Sequence, residues 1–338
     1  MAQMVEHVVG LDHGNGWVKV WGARKCLVFP SYIADLEKVG TTYNDVADLK
    51  LNEYTDAEYK KETYVWGEDV KQVQGAISTY SQNNRYANKF YQLVSLFAIY
   101  EALGTGKKFD NVLVVTGVPT DEKGTPAEQE LIESLIGTHI INGKKIEIVE
   151  VVVLPQPLGT VMSLYLDNDG YIKDSKYQTA KIGIIDVGTG TTDLDVIYSL
   201  RRQDSHKSIT YGMMDIFTNV ATYLKKKAVS IISIPKIEEG WKLGVYKESE
   251  RHVTSFGEYK RKAVEDVFKY ISEGISLLWK NLKIFDILIL TGGGAMTFKS
   301  HFDKYIDDIY DIPEKPQTAN VEGFYNYGKY IQAVKNGE

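Results

Sequence analysis

The string Asp-x-Gly-x-Gly occurs twice, as Asp12-His13-Gly14-Asn15-Gly16 and as Asp186-Val187-Gly188-Thr189-Gly190, 174 residues apart in a chain of 338. Such strings suit phosphate chemistry. Glycine lets backbone N–H groups approach phosphate oxygens at φ values closed to other residues. Gly14, Asn15 and Gly16, and likewise Gly188, Thr189, Gly190 and Thr191, could therefore line two phosphate turns. Asp12 and Asp186 stand at strand ends, where a carboxylate can hold a Mg²⁺ that keeps several of its waters. Lys19, three residues beyond Gly16, could reach a β- or γ-phosphate, and Thr189, Thr191 and Thr192 offer hydroxyls. One chance match is expected in about one chain of this size in ten, whereas two copies offset by half the chain are much harder to obtain by accident. Two tight hairpin turns using glycine for geometry alone would carry the same letters.

A third glycine signal, Gly292-Gly293-Gly294, follows the apolar run Ile287 to Leu290. Its backbone could lie flat against a nucleoside, or it could be an ordinary turn.

The elements needed to position these residues are legible as a half-chain repeat. A strand ending at Leu11 leads through the first turn into the alternation Trp17, Val18, Lys19, Val20, Trp21, and a third strand covers Leu27 to Phe29. Ile182 to Ile185 and Thr192 to Ile197 flank the second turn in the same way. Helical spacing marks Phe90 to Leu103, Pro126 to Ile136 and a long amphipathic stretch from Glu258 to Leu282. Val112 to Val115 and Ile146 to Leu154 read as strands. Residues 35–87 and 216–254 are mixed in pattern and read as small inserted subdomains. The Pro155-Gln156-Pro157 bracket sets a domain boundary, giving domains at 1–155 and 156–315, with 316–338 returning to the first. The fold class is α/β.

Composition narrows the function. Hydrophobic residues make up 43% and charged residues 25%, enough for two real cores. A net charge of −6, with no Lys/Arg run longer than Lys225 to Lys227, gives no footprint for direct nucleic-acid binding. The single cysteine, Cys26, excludes an intramolecular disulfide and reads as a core residue, and no stretch approaches a membrane span, so a cytoplasmic protein is expected. The six histidines lack metal-ligand spacing, and His13 reads as a turn residue. The tyrosines from Tyr43 to Tyr64 read as a packing surface.

Together these motifs resemble the actin/Hsp70/sugar-kinase ATPase superfamily, and within it the ParM-type plasmid-segregation actins. Asp12 to Lys19 resembles the first phosphate motif, Pro155 to Gly159 the interdomain connector, Asp186 to Asp193 the second phosphate motif, and Leu290 to Ala295 the adenosine motif. Tyr64 to Asp69, Val115 to Pro119 and Asn320 to Phe324 are similar to ParM-type sequences. The resemblance implies an actin-like fold of two duplicated ribonuclease-H-like domains, each with an inserted subdomain, and a nucleotide cleft between them. It implies ATP, with GTP possible, and Mg²⁺ held by Asp12 and Asp186 through water. It also implies adenosine contacts from Gly292, Gly293, Gly294, Ala295, Phe298, Glu238 and Lys242, Glu239 lying beside the last two.

Asp12, Gln156 and Asp186 are the implied catalytic residues. Gln156 stands where ParM-type proteins commonly carry Glu. An amide can orient a water but cannot take its proton, so slow hydrolysis resting on positioning is expected; Asp193 is a second candidate for orienting that water. The implied partners are further copies of the chain in a filament and an adaptor protein on a centromere-like DNA site, with no direct nucleic-acid contact and no membrane. A sugar or acetate kinase of the same superfamily is the competing expectation, although no acceptor-site base stands out. A chaperone-like or membrane-anchored ATPase would need an appendage or terminal anchor that the sequence does not display.

Overall fold

The computed structural model describes residues 4–22, 26–39, 49–73, 75–79, 85–227, 229, 232–249, 251–307 and 309–337. Tyr43, expected on a packing surface, lies outside them. The chain forms two compact units. The first comprises residues 1–178 and 318–338, and the second residues 179–317.

The first unit opens with β1 (His7–His13), β2 (Trp17–Trp21), β3 (Cys26–Pro30) and β4 (Tyr32–Asp35), then β5 (Leu51–Thr55), β6 (Lys61–Val65) and β7 (Ile77–Ser78). Helix α1 (Lys89–Leu103), β8 (Lys108–Val118), α2 (Pro126–Leu135), β9 (Gly137–Ile141), β10 (Lys144–Pro155) and α3 (Gln156–Tyr165) follow. The ten strands make one sheet in the order β3-β2-β1-β8-β10-β9-β5-β6-β4-β7. β8 pairs parallel with both β1 and β10, and their Val/Ile-rich sequences are what a sheet buried on both faces requires. Asn88 caps α1, its side chain accepting from the Phe90 N–H at 2.8 Å, and Gly104 ends it at φ +83°.

Residues 35–87 are expected to form a small inserted subdomain; their described strands are joined to the main sheet. Tyr54 and Thr55 of β5 pair antiparallel with Ile141 and Ile140 of β9, so the described strands of this region extend the main sheet. Asn142, at φ +49°, secures the join: its N–H donates to the Glu53 carbonyl at 2.9 Å and its side chain accepts from the Glu53 N–H at 2.8 Å. Among the described residues, Val65, Val70 and Val73 form a small cluster with the neighbouring Ala34.

The Pro155–Pro157 bracket starts α3 inside the first unit rather than at its boundary. A short helix, α4 (Lys176–Thr179), lies at the junction between the units. The last helix, α9 (Ala319–Asn336), packs on α3, β1 and β8 of the first unit. That contact is close: a Cβ on Gly323 would fall 1.7 Å from the Gly159 carbonyl oxygen, and one on Gly10 would fall 2.6 Å from the Val321 oxygen. Thr160 donates to the Asn320 side chain at 2.7 Å inside the same interface.

The second unit is built on β11 (Lys181–Val187), β12 (Thr192–Tyr198), β13 (Arg201–Arg202) and β14 (Lys207–Ile209), with α5 (Met213–Lys226), α6 (Ile234–Glu239), β15 (Val245–Ser249), β16 (His252–Ser255) and α7 (Gly257–Leu278) following. β17 (Ile287–Thr291) and α8 (Ala295–Tyr305) complete it. The sheet order is β13-β12-β11-β17, with β14 also on β12. The expected insertion shares this unit's core, since Ile216, Phe217, Val220, Leu224, Ile237 and Tyr246 cluster with Ile185, Val187 and Leu290. Helix α7 stops four residues before the expected Leu282. The Trp279 ring turns into the core against Phe285, 4.8 Å between centroids, and Asn281 caps a fresh short turn.

Candidate functional site

Both Asp-x-Gly-x-Gly strings form the same hairpin. β1 pairs antiparallel with β2 and parallel with β8; β11 pairs antiparallel with β12 and parallel with β17. In each, the leading Asp is still in the strand; β1 runs two residues past the expected Leu11, so that Asp12 and His13 are its last two residues. The first glycine closes both turns identically: Gly14 N–H donates to the Trp17 carbonyl at 3.0 Å, and Gly188 N–H to the Thr191 carbonyl at 2.8 Å.

The registers also agree, and the residues opposite the two aspartates differ. Asp12 faces Lys19 across β1 and β2, whereas Asp186 faces Asp193 across β11 and β12. Directly opposed residues of an antiparallel pair share a face. Hence the first hairpin sets an ammonium against its carboxylate, and the second sets two carboxylates side by side.

At the first hairpin, Asp12 is buried, with its carboxylate held on both oxygens. Lys19 Nζ lies 2.7 Å from Oδ2, and Gln156 Nε2 donates to Oδ1 at 2.9 Å. Gln156 is the first residue of α3, immediately after β10, the next strand but one from β1, which is how a residue 144 positions away reaches Asp12.

His13 is no solvated turn residue. It is buried, stacked on Tyr91 at 3.9 Å, and bonded through Nδ1 to Ser95 Oγ (2.7 Å) and through Nε2 to Thr79 Oγ1 (3.0 Å). Burial, with Arg85 and Lys19 nearby, pushes its pKa down to about 3, so the ring is neutral at physiological pH. The turn is tied from the other side by Ser31, whose hydroxyl donates to the Gly14 carbonyl at 2.8 Å and whose N–H donates to the Gly16 carbonyl at 3.1 Å. The Ser31 carbonyl in turn accepts from the Thr79 N–H at 2.9 Å. Arg85 reaches the turn tip, with Nη1 3.5 Å from Asn15 Oδ1. Sequence patterning gave no signal for Ser31, Thr79 or Arg85, because each reaches the turn through the fold rather than by spacing.

At the second hairpin, two of the three hydroxyls expected to serve phosphate are already committed. Thr191 Oγ1 donates to Asp193 Oδ2 at 2.9 Å, and the buried Thr192 Oγ1 donates to the Tyr211 carbonyl at 2.9 Å. The start of α5 packs on the turn, Met213 and Met214 N–H groups donating to the Gly188 and Thr189 carbonyls at 3.2 and 2.7 Å.

The third glycine turn adjoins the same hairpin. A Cβ on Gly292, at φ +89°, would fall 2.2 Å from Asp186 Oδ1, so only glycine there leaves room for that carboxylate. Gly294 N–H donates to the Val187 carbonyl at 2.8 Å. Of the expected adenosine contacts, Ala295 and Phe298 are fully buried, Phe298 packing against Phe268 at 6.2 Å; these are core positions, out of reach of a solvent-borne base. Gly293 is exposed, and a Cβ there would make ordinary van der Waals contact with Gln317 Cγ at 3.7 Å. Glu238 lies in α6, while Glu239 and the exposed Lys242 lie at its end and in the following turn.

Among the described residues no group of three or more His, Cys, Asp or Glu is arranged for a metal, and no helix is long and apolar enough to cross a membrane. The facing Asp186 and Asp193 place two carboxylates on one face of the hairpin, the oxygen chemistry that a hydrated Mg²⁺ takes. Cys26, expected in the core, is half-buried in β3.

Comparison with known proteins agrees with this architecture. The profile for actin-like proteins, N-terminal domain, matches residues 10–159, and that for the archaeal actin homologue MreB-like, C-terminal, matches residues 184–304. No curated protein matches the chain. Among solved structures, the apo ParM protein of pSK41 superposes with a TM-score of 0.77 at 22% identity, covering 98% of this chain and 99% of that one. The archaeal actin homologue Ta0583 gives 0.74 at 21%, covering 95% and 98%. A 15-stranded ParM filament from Clostridium botulinum gives 0.75 at 19%, covering 96% and 99%. At these identities the likeness is one of fold. Two duplicated hairpins in register, under an actin-like N-terminal profile and an MreB-like C-terminal one, make this chain a member of the actin-like proteins.

Proposed function

We propose that the protein is an actin-like ATPase that binds ATP with Mg²⁺ at its two hairpin turns, polymerises into filaments and hydrolyses the nucleotide. The observation that carries this reading is the register-matched pair of aspartates, one opposite a lysine and the other opposite an aspartate. In this reading Asp12 and Lys19 serve the β- and γ-phosphates, with N–H groups of Asn15 and Gly16. Asp186 and Asp193 serve the metal, with Thr189 and Gly190 completing the second clasp. Mg²⁺, when bound, would neutralise charge on the phosphates. Gln156 donates to Asp12 through Nε2, which leaves Oε1 to accept a hydrogen bond from the attacking water. Without a side chain to take that water's proton, turnover is slow and rests on orientation.

Related folds support the ligand and the assembly. Ta0583 has been solved with ADP at 20% identity and a Bacillus thuringiensis ParM with ATP at 15% identity, and the Clostridium botulinum ParM is a filament. We extend the reading to plasmid DNA segregation through an adaptor protein, consistent with the net charge of −6 and the lack of a basic run for DNA.

The test is light scattering and sedimentation after addition of ATP and Mg²⁺. Nucleotide-dependent particles that dissolve as phosphate is released are expected. Phosphorylation of a small acceptor without particles would overturn the filament reading in favour of a kinase. Asp186→Ala should abolish hydrolysis while the melting transition persists, and unchanged turnover would remove Asp186 from the site.

A further inference from the structure

Beside the first turn lies a guanidinium that the sequence did not single out. Arg85 is mostly buried, its side chain 16% exposed. One end is anchored: Nη2 donates to Glu122 Oε2 at 2.9 Å and to the Tyr86 hydroxyl at 2.7 Å, and that hydroxyl donates to the same carboxylate oxygen at 2.5 Å. Tyr86 is itself buried and packs edge-on against Tyr91, the ring that stacks on His13. The anchor is therefore built into the wall behind the turn.

The other end is under-used. Nη1 meets Asn15 Oδ1 at 3.5 Å, beyond the usual span of a good N–H···O bond, and Nε is buried with no hydrogen-bond partner among the described residues. A buried donor without a partner is uncommon and calls for an explanation. An arginine's planar fork matches phosphate oxygens, and charge-assisted bonds of this kind are about twice as strong as neutral ones. Lys19, the other cation at this turn, already faces Asp12 at 2.7 Å. A terminal phosphate would bring more negative charge than that pair alone can balance.

We propose that Arg85 is a phosphate-contacting residue of the first turn, oriented by Glu122 and Tyr86, which binds the terminal phosphate of the nucleotide and so distinguishes triphosphate from diphosphate. This inference rests on the ATPase reading above. Asn15, exposed at the tip of the turn, lies beside the guanidinium. Glu122 is the positioning residue, fixing the plane of the fork rather than touching the ligand.

The experiment measures binding of fluorescent ATP and ADP analogues to the full chain, beside an apo melting curve for each variant. Wild type is expected to prefer the triphosphate. Arg85→Ala should weaken ATP binding by roughly tenfold or more, the loss of a charge-assisted pair, while ADP binding changes by less than about threefold. Arg85→Lys, which keeps the charge and the buried stem but not the fork, should fall between them, and it decides the matter if Arg85→Ala gives no cooperative melt. Glu122→Gln should reduce the ATP preference in the same direction with a smaller effect. Equal losses for ATP and ADP, or an unchanged ratio in Arg85→Ala and Arg85→Lys, would overturn the assignment while leaving the ATPase reading intact. Failure of wild type to bind either nucleotide would overturn both.

Discussion

Asp12 shows how one carboxylate acquires a role from what surrounds it. Both of its oxygens are held, by Lys19 at 2.7 Å and Gln156 at 2.9 Å, so it is oriented before any ligand arrives. Preorganisation of this kind avoids the reorganisation that a loose side chain would have to undergo in the transition state. Replacing Gln156 with Ala removes both the donor to Oδ1 and the acceptor assigned to the attacking water. ATP turnover should drop roughly 10- to 100-fold, with a smaller change in nucleotide affinity, because the lost contact matters most once water attacks. Steady-state kinetics would separate the two effects, and a pure loss of affinity would argue that Gln156 merely packs. The two aspartates were visible in the sequence. Their different partners were not, because the residue opposite an Asp depends on strand register. Lys19 and Asp193 both follow their Asp by seven residues, and only the paired strands show that this spacing places each directly across.

At the scale of elements, the hairpins, α1 and β8 were legible because short-range patterns specify them: alternation, helical spacing and a glycine turn. What was illegible is long-range. The joining of β5 to β9 links strands more than eighty residues apart, and no local pattern distinguishes that from a separate subdomain. Ser31 and Thr79 were hidden for the same reason, being brought to the first turn by tertiary bonds. The contact of α3 with α9 is another such case, since small residues allow two backbones to touch. Gly323→Ala would drive its Cβ to 1.7 Å from the Gly159 carbonyl, and no flexible side chain is available to yield. Destabilisation of about 1–3 kcal/mol or more is expected, as for other overpacked sites. Urea melts would register it, and an unchanged midpoint would mean that α9 shifts freely on α3.

Considered whole, the chain divides into a unit continuous in sequence, residues 179–317, and one made of residues 1–178 and 318–338. The continuous unit has its own core, reaching from Ile185 to Ile306. Expressed as residues 179–317 it should melt cooperatively, whereas residues 1–178 alone should not, because Gly10, Gly159 and Val8 would lose the helix packed against them. Calorimetry on the two fragments would decide this, and a sharp transition in residues 1–178 would show α9 to be dispensable. The position of α9 also sets an order on synthesis. The ribosome synthesises the second unit's entire sequence before it makes the helix that the first unit needs, so the segment translated first should reach its final packing late. For a protein proposed to assemble with copies of itself, that delay would keep a half-made chain from joining a growing polymer.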